Sequence, residues 1–144
     1  MDDATVMLLL VHAAATCFLA GLSWVVQLVV YPSFRIVGQT EQWPSFHAAH
    51  SQRITYAVGL PWLVQGGTLA TLIGTDAGPR WLLGLAAACA LATVALTLWG
   101  AVPAHERLST FDDGLVQRLL RISAWRTAAW TIGAAASVAL VASR

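Results

Sequence analysis

The sequence predicts an all-α protein, an integral-membrane up-down four-helix bundle, and three observations predict it. The 144 residues are 58% hydrophobic and only 10% charged, far from the make-up of a water-soluble domain. Apolar runs of roughly 20 residues recur four times, each near the length that crosses about 30 Å of hydrocarbon at 1.5 Å per residue. Turn and cap residues punctuate the intervals between those runs. One domain over residues 1–144 follows, with spans at about 4–31, 45–74, 81–103 and 115–142.

The first span runs from Ala4 to Val30, interrupted only by His12 and Gln27 among strongly polar side chains. It opens with Asp2 and Asp3 where a secretion signal carries basic residues, so a retained helix is expected. Pro44 suits the first turn of the second helix, which then runs for about 30 residues, or some 45 Å. Pro61 and the pair Gly66-Gly67 predict a local bend in it. Thr75-Asp76-Ala77-Gly78-Pro79 is a compact turn before the third span, which begins at Trp81. Pro32 and Pro103 are expected to stop the first and third helices. The fourth run is free of charge only from Thr127 to Ser143. Its helical pattern reaches back through Leu115, Leu119, Leu120 and Ile122 to a cap at Asp112 or Asp113.

Small residues four apart, Gly84 with Ala88 and Gly133 with Ser137, predict close helix contacts. Trp43, Trp81, Trp99 and Trp125 fall at span ends, where aromatic belts lie, whereas Trp62 and Trp130 are deeper, as pocket walls or as packing. Arg35, Arg53, Arg107, Arg118, Arg121 and Arg126 fall to one side of the spans, against Arg80 and Arg144 on the other. Basic segments resist translocation, so an inner-membrane protein with both termini on the non-cytosolic side is expected.

A net charge of +1 supplies no basic field, which argues against nucleic acid as a partner. Cys17 and Cys89 lie inside apolar runs and match neither a disulfide framework nor a metal spacing. The expected partners are the lipid bilayer, a lipophilic small molecule, and a second copy of the chain or a larger membrane complex.

Three histidines fall at one membrane level. His47 and His50, three apart, share a helical face, and His105 with Glu106 ends the third span nearby. Imidazole ligates iron and copper, so a transition-metal site with an open position is one reading. Hydrated interfacial imidazoles are the other. Haem is disfavoured, because His12 has no evident partner at its depth. Arg53 and Arg126 lie nearest the apolar runs and are candidates to hold an anionic oxygen, with Glu106 as a further ligand or base. His12, Gln27 and Gln65 are intramembrane polar groups, expected to form interhelical hydrogen bonds.

Two segments echo each other: Tyr31-Pro32-Ser33-Phe34-Arg35 and Val102-Pro103-Ala104-His105-Glu106-Arg107. Together with Phe46-His47-Ala48-Ala49-His50, Arg53-Ile54, and Arg121 through Trp125-Arg126-Thr127 to Trp130-Thr131, they give most of the chain its likeness to a known group. It resembles the small four-span bacterial membrane proteins of the anthrone-oxygenase-like family. The chain departs from that pattern at Ser123 and Ala124, where similar sequences carry Asn and Trp. The resemblance implies oxygen insertion into electron-rich polycyclic phenols by a membrane-embedded enzyme. The expected function is therefore a membrane oxidoreductase or monooxygenase acting on a lipophilic phenol or quinone-like molecule. A non-enzymatic subunit packing beside a larger membrane complex is the alternative, favoured by the Ala- and Gly-rich helices.

Overall fold

The computed structural model describes residues 2–143, and Arg144, which entered the charge count, lies outside them. Among the described residues the chain is helical, with no strand. Four long helices account for nearly all of it: α1 (Asp3–Val37), α2 (Trp43–Gly74), α3 (Arg80–Arg107) and α4 (Asp113–Ala142). Of these, α1, α2 and α3 are long and apolar enough to cross a membrane.

The caps follow the sequence. Asp2 accepts the Thr5 N–H at 3.0 Å at the start of α1, and Asp112 accepts the Leu115 N–H at 3.0 Å at the start of α4. Asp113 is thereby left free to pair with Arg35, whose Nε donates to it at 2.8 Å. Pro44 sits in the first turn of α2 as expected. In the α2–α3 turn, Asp76 adopts φ 50°, a region that aspartate tolerates better than most residues. The hydrogen bond and charge of Arg80, 3.1 Å away, hold the Asp76 carboxyl below the usual carboxylate range.

Pro32 and Pro103 do not end their helices. Each lies just beyond a π-helical turn, Val26–Val30 in α1 and Thr97–Ala101 in α3. The last donor before each ring bonds five residues back, Tyr31 N–H to the Val26 carbonyl and Val102 N–H to the Thr97 carbonyl. A widened turn absorbs the missing proline N–H and the ring's bulk, so the helix continues. The predicted ends at 31 and 103 are therefore early, and the added turns carry Phe34, Arg35, His105 and Glu106.

Two buried apolar clusters show the chain running up and down. Leu9, Leu72, Leu83 and Leu140 meet where α1 starts, α2 ends, α3 starts and α4 ends. Tyr31, Phe34, Trp43, Leu108 and Leu119 meet at the opposite end. Helix α4 lies between α1 and α3, with buried residues from Val116 to Leu140. Gly133 is buried with Cys89 close by, as the small-residue pattern predicts, but Gly84 and Ala88 face outward. Trp81, at the start of α3, and Trp99, two turns from its end, are exposed; Trp125 is exposed too but lies well inside α4. Trp43 is instead buried, its Nε1 donating to the Leu108 carbonyl at 2.9 Å.

Candidate functional site

The two π-turn helix ends converge on one contact. The Tyr31 hydroxyl, just past the first π turn, lies 3.1 Å from His105 Nε2, just past the second. On the other edge of the same ring, His105 Nδ1 lies 3.1 Å from His47 Nε2. His47, on the first turns of α2, is buried with its ring stacked on Trp43 at 5.0 Å. His50 lies 5.9 Å from the His105 ring and edge-on to Phe34, a side chain with no exposed surface. The three histidines predicted to gather therefore do so, with Tyr31 as a fourth member. Its signal in the sequence was its place before Pro32, in the segment that echoes Val102-Pro103.

The gathered imidazoles are not arranged as ligands. Among the described residues no group of three His, Cys, Asp or Glu side chains has the geometry to hold a metal ion. The His47 and His50 rings lie nearly parallel to His105, at 21° and 28°. His105 also has both ring nitrogens engaged. Such a chain can pass protons along its hydrogen bonds. In one arrangement Tyr31 O–H donates to His105 Nε2 and His105 Nδ1–H to His47 Nε2; in the other each proton has moved across its bond, His47 carries the extra proton, and Tyr31, having given up its own, accepts one from outside the chain.

Tyr31 and His105 also form part of the wall of a cavity of about 500 Å³. Its other polar wall groups include Arg126, Glu106 and Ser51; its deeper walls are apolar, with Leu19, Val26, Trp62 and Trp130. Both of the deep tryptophans thus face this space. The Arg126 guanidinium lies within electrostatic reach of the Tyr31 hydroxyl and of His105. It forms no ion pair among the described residues, and its Nε is buried without a partner. Ser51 Oγ and His50 Nε2 are likewise buried and unpartnered. A cation and several unsatisfied polar atoms beside an apolar chamber form a place for an oxygen-bearing, otherwise apolar molecule.

The remaining predicted residues lie apart. Arg53 is exposed and forms no part of the cavity wall. It follows Ser51 by two residues, about 200° around the helix, so the face that brings Ser51 to the cavity turns Arg53 away. Glu106 reaches the wall but is exposed, at the rim. His12 is buried near the other end of the molecule, its Nδ1 3.0 Å from Thr68 Oγ1, one turn beyond Gln65 on α2. That is the interhelical bond expected of His12, made to Thr68. Gln65 is buried at the same level, and Gln27 lies in the first π turn with a buried, unpartnered Oε1.

Comparison with family models, with curated proteins and with solved structures gives no match.

Proposed function

We propose that this chain is an inner-membrane four-helix bundle whose cavity oxidises a lipophilic phenol, in the manner implied by its resemblance to the anthrone-oxygenase-like proteins. One observation carries the reading: an unpaired guanidinium, Arg126, shares the end of an otherwise apolar cavity with the Tyr31–His105–His47 chain. A phenol seated against the apolar wall has its hydroxyl at that end. Its proton passes to Tyr31 as the Tyr31 proton moves to His105 and the His105 Nδ1 proton to His47. Arg126 holds the phenolate that remains. Removing that proton raises the electron density of the ring and makes it a stronger reductant toward dioxygen. With anthrone, one oxygen atom enters the ring carbon and the other leaves as water.

Dioxygen uptake and quinone absorbance, with anthrone and the purified protein in nanodiscs, test this reading. Arg126→Gln and His105→Gln are each expected to lower turnover about 100-fold, the usual loss when an oxyanion-stabilising or proton-carrying group is removed. Wild-type protein that leaves anthrone untouched, or variants as fast as wild type, would sink the reading. The imidazoles act here as proton carriers, so a chelator is expected to leave the rate unchanged. A chelated protein that loses activity and regains it with iron or copper replaces the relay with a metal role for the same histidines.

A further inference from the structure

We infer that the cavity is reached sideways from the bilayer core, through a gap between α2 and α3, and that its ligand is a phenol bearing a hydrocarbon tail that stays in that gap. The inference rests on the membrane placement and phenol site proposed above, and adds the route and the ligand's shape.

The walls of the cavity are not equally closed. The parts from α1 and α4 include no exposed residue, and Leu19, Val26, Tyr31 and Trp130 among them are buried. On α2 and α3 the wall includes exposed groups, Thr55 on one side and Leu98 and Val102 on the other. A residue that both faces a cavity and keeps open surface stands at its mouth, and Leu98 retains 52% of its surface. Helix contacts agree: α2 packs along α1, and touches α3 only sparsely. One shared core of α2 and α3 lies at their connected end, around Leu72 and Leu83. A second core joins Trp43 of α2 to Ala101 and Ala104 of α3 at the far ends of the two helices, and the cavity opens between the two cores.

The surroundings of the mouth are oily. Leu60 and Leu63 on α2 and Leu91 on α3 are each at least 70% exposed, so a molecule leaving the cavity between these helices meets hydrocarbon. Gly59 supplies an independent sign. It forms part of the wall, yet a Cβ placed on it meets no atom within 4 Å, so no neighbour requires glycine there. The side chain it lacks is one that would narrow the mouth. A ligand whose oxygen is held at Arg126 and whose ring lies on Trp130 has its far end toward this opening. A tail there exchanges one apolar surrounding for another, with no polar group left unpaired.

The test compares 1-naphthol with a naphthol bearing a dodecyl tail, using fluorescence anisotropy in nanodiscs at matched bilayer concentrations. Gly59→Trp is expected to weaken the tailed probe at least 10-fold while changing 1-naphthol less than 3-fold. Leu98→Trp, on the opposite lip, is expected to do the same, and it serves as the test if Gly59→Trp fails to fold. Equal effects on both probes, or none on the tailed one, overturn the lateral route. Arg126→Gln reports separately on the site: it is expected to weaken both probes. If wild type binds 1-naphthol and loses it in Arg126→Gln, yet the lip variants leave the tailed probe alone, the route falls and the phenol site stands. If wild type binds neither probe, the site falls and the route with it.

Discussion

Tyr31 joins the cavity to the histidines, and its hydroxyl and ring do separable things. The ring packs at 5.3 Å from Phe34 and 5.7 Å from His105, whereas the hydroxyl makes the bond to His105 Nε2. Tyr31→Phe keeps the packing and removes the bond. Thermal unfolding is expected to show a loss of about 1 kcal/mol, the net worth of one such hydrogen bond. Anthrone turnover is expected to fall far more steeply, because the first proton acceptor is gone; a fall no larger than the stability change would place Tyr31 outside the relay. Gly38 makes a different kind of demand. Its φ of −60° suits any residue, but an added Cβ would lie 2.6 Å from the Phe34 carbonyl and within the Phe111 ring. Gly38→Ala therefore requires Phe111 to move, and about 1 to 3 kcal/mol of destabilisation in a denaturant titration is expected.

At the scale of the helix, the two π turns put Tyr31 and His105 on facing surfaces. A π turn holds one residue more than the α turn it replaces, and one residue rotates everything beyond it by about 100°. Deleting Leu98, an exposed member of the Thr97–Ala101 turn, is expected to convert it to an α turn and leave the flanking faces in register. Deleting Leu91, also exposed but in regular helix, is expected to turn Val102–Arg107 away from Tyr31. Fold retention by circular dichroism, with 1-naphthol binding kept by the first deletion and lost in the second, is the expected pattern. Here lies the limit of what was legible. The prolines, caps and apolar runs were plain, and they located every helix, the cap at Asp112 or Asp113 and the clustering of His47, His50 and His105. Proline is read as a stop because it removes a donor, and only the local packing decides whether the chain stops or widens its turn. Reading a stop also hid Tyr31, which became part of a site only when the helix ran on past it. Arg53 was misplaced for a simpler reason: charge at a span end marks the membrane level but not the face of the helix.

At the scale of the whole molecule, the charged end coincides with the end that holds His47 and His105, and on the proposed relay this decides where a proton leaves. Arg35 is tied to Asp113 and Gln117, and Arg126 faces the cavity, while Arg53, Arg118 and Arg121 are exposed near the same end. The opposite end carries the Asp76–Arg80 pair beside the start of α1 and the end of α4, and that pair adds no excess of basic charge. If basic segments are retained in the cytosol, His47 lies toward that compartment and a proton taken from the ligand is delivered there. Fusing alkaline phosphatase after Ala142 in a bacterial host is expected to give an active enzyme, and fusing a green fluorescent protein there a dark one. The same reporters placed in the turn at Thr110, between α3 and α4, are expected to give the reverse. Arg118→Gln with Arg121→Gln weakens the charge asymmetry while leaving the cavity wall intact, so it is expected to yield a mixture of the two patterns. A fluorescent C-terminal fusion in the unaltered chain would invert the molecule, and the relay would then release its proton outside the cell.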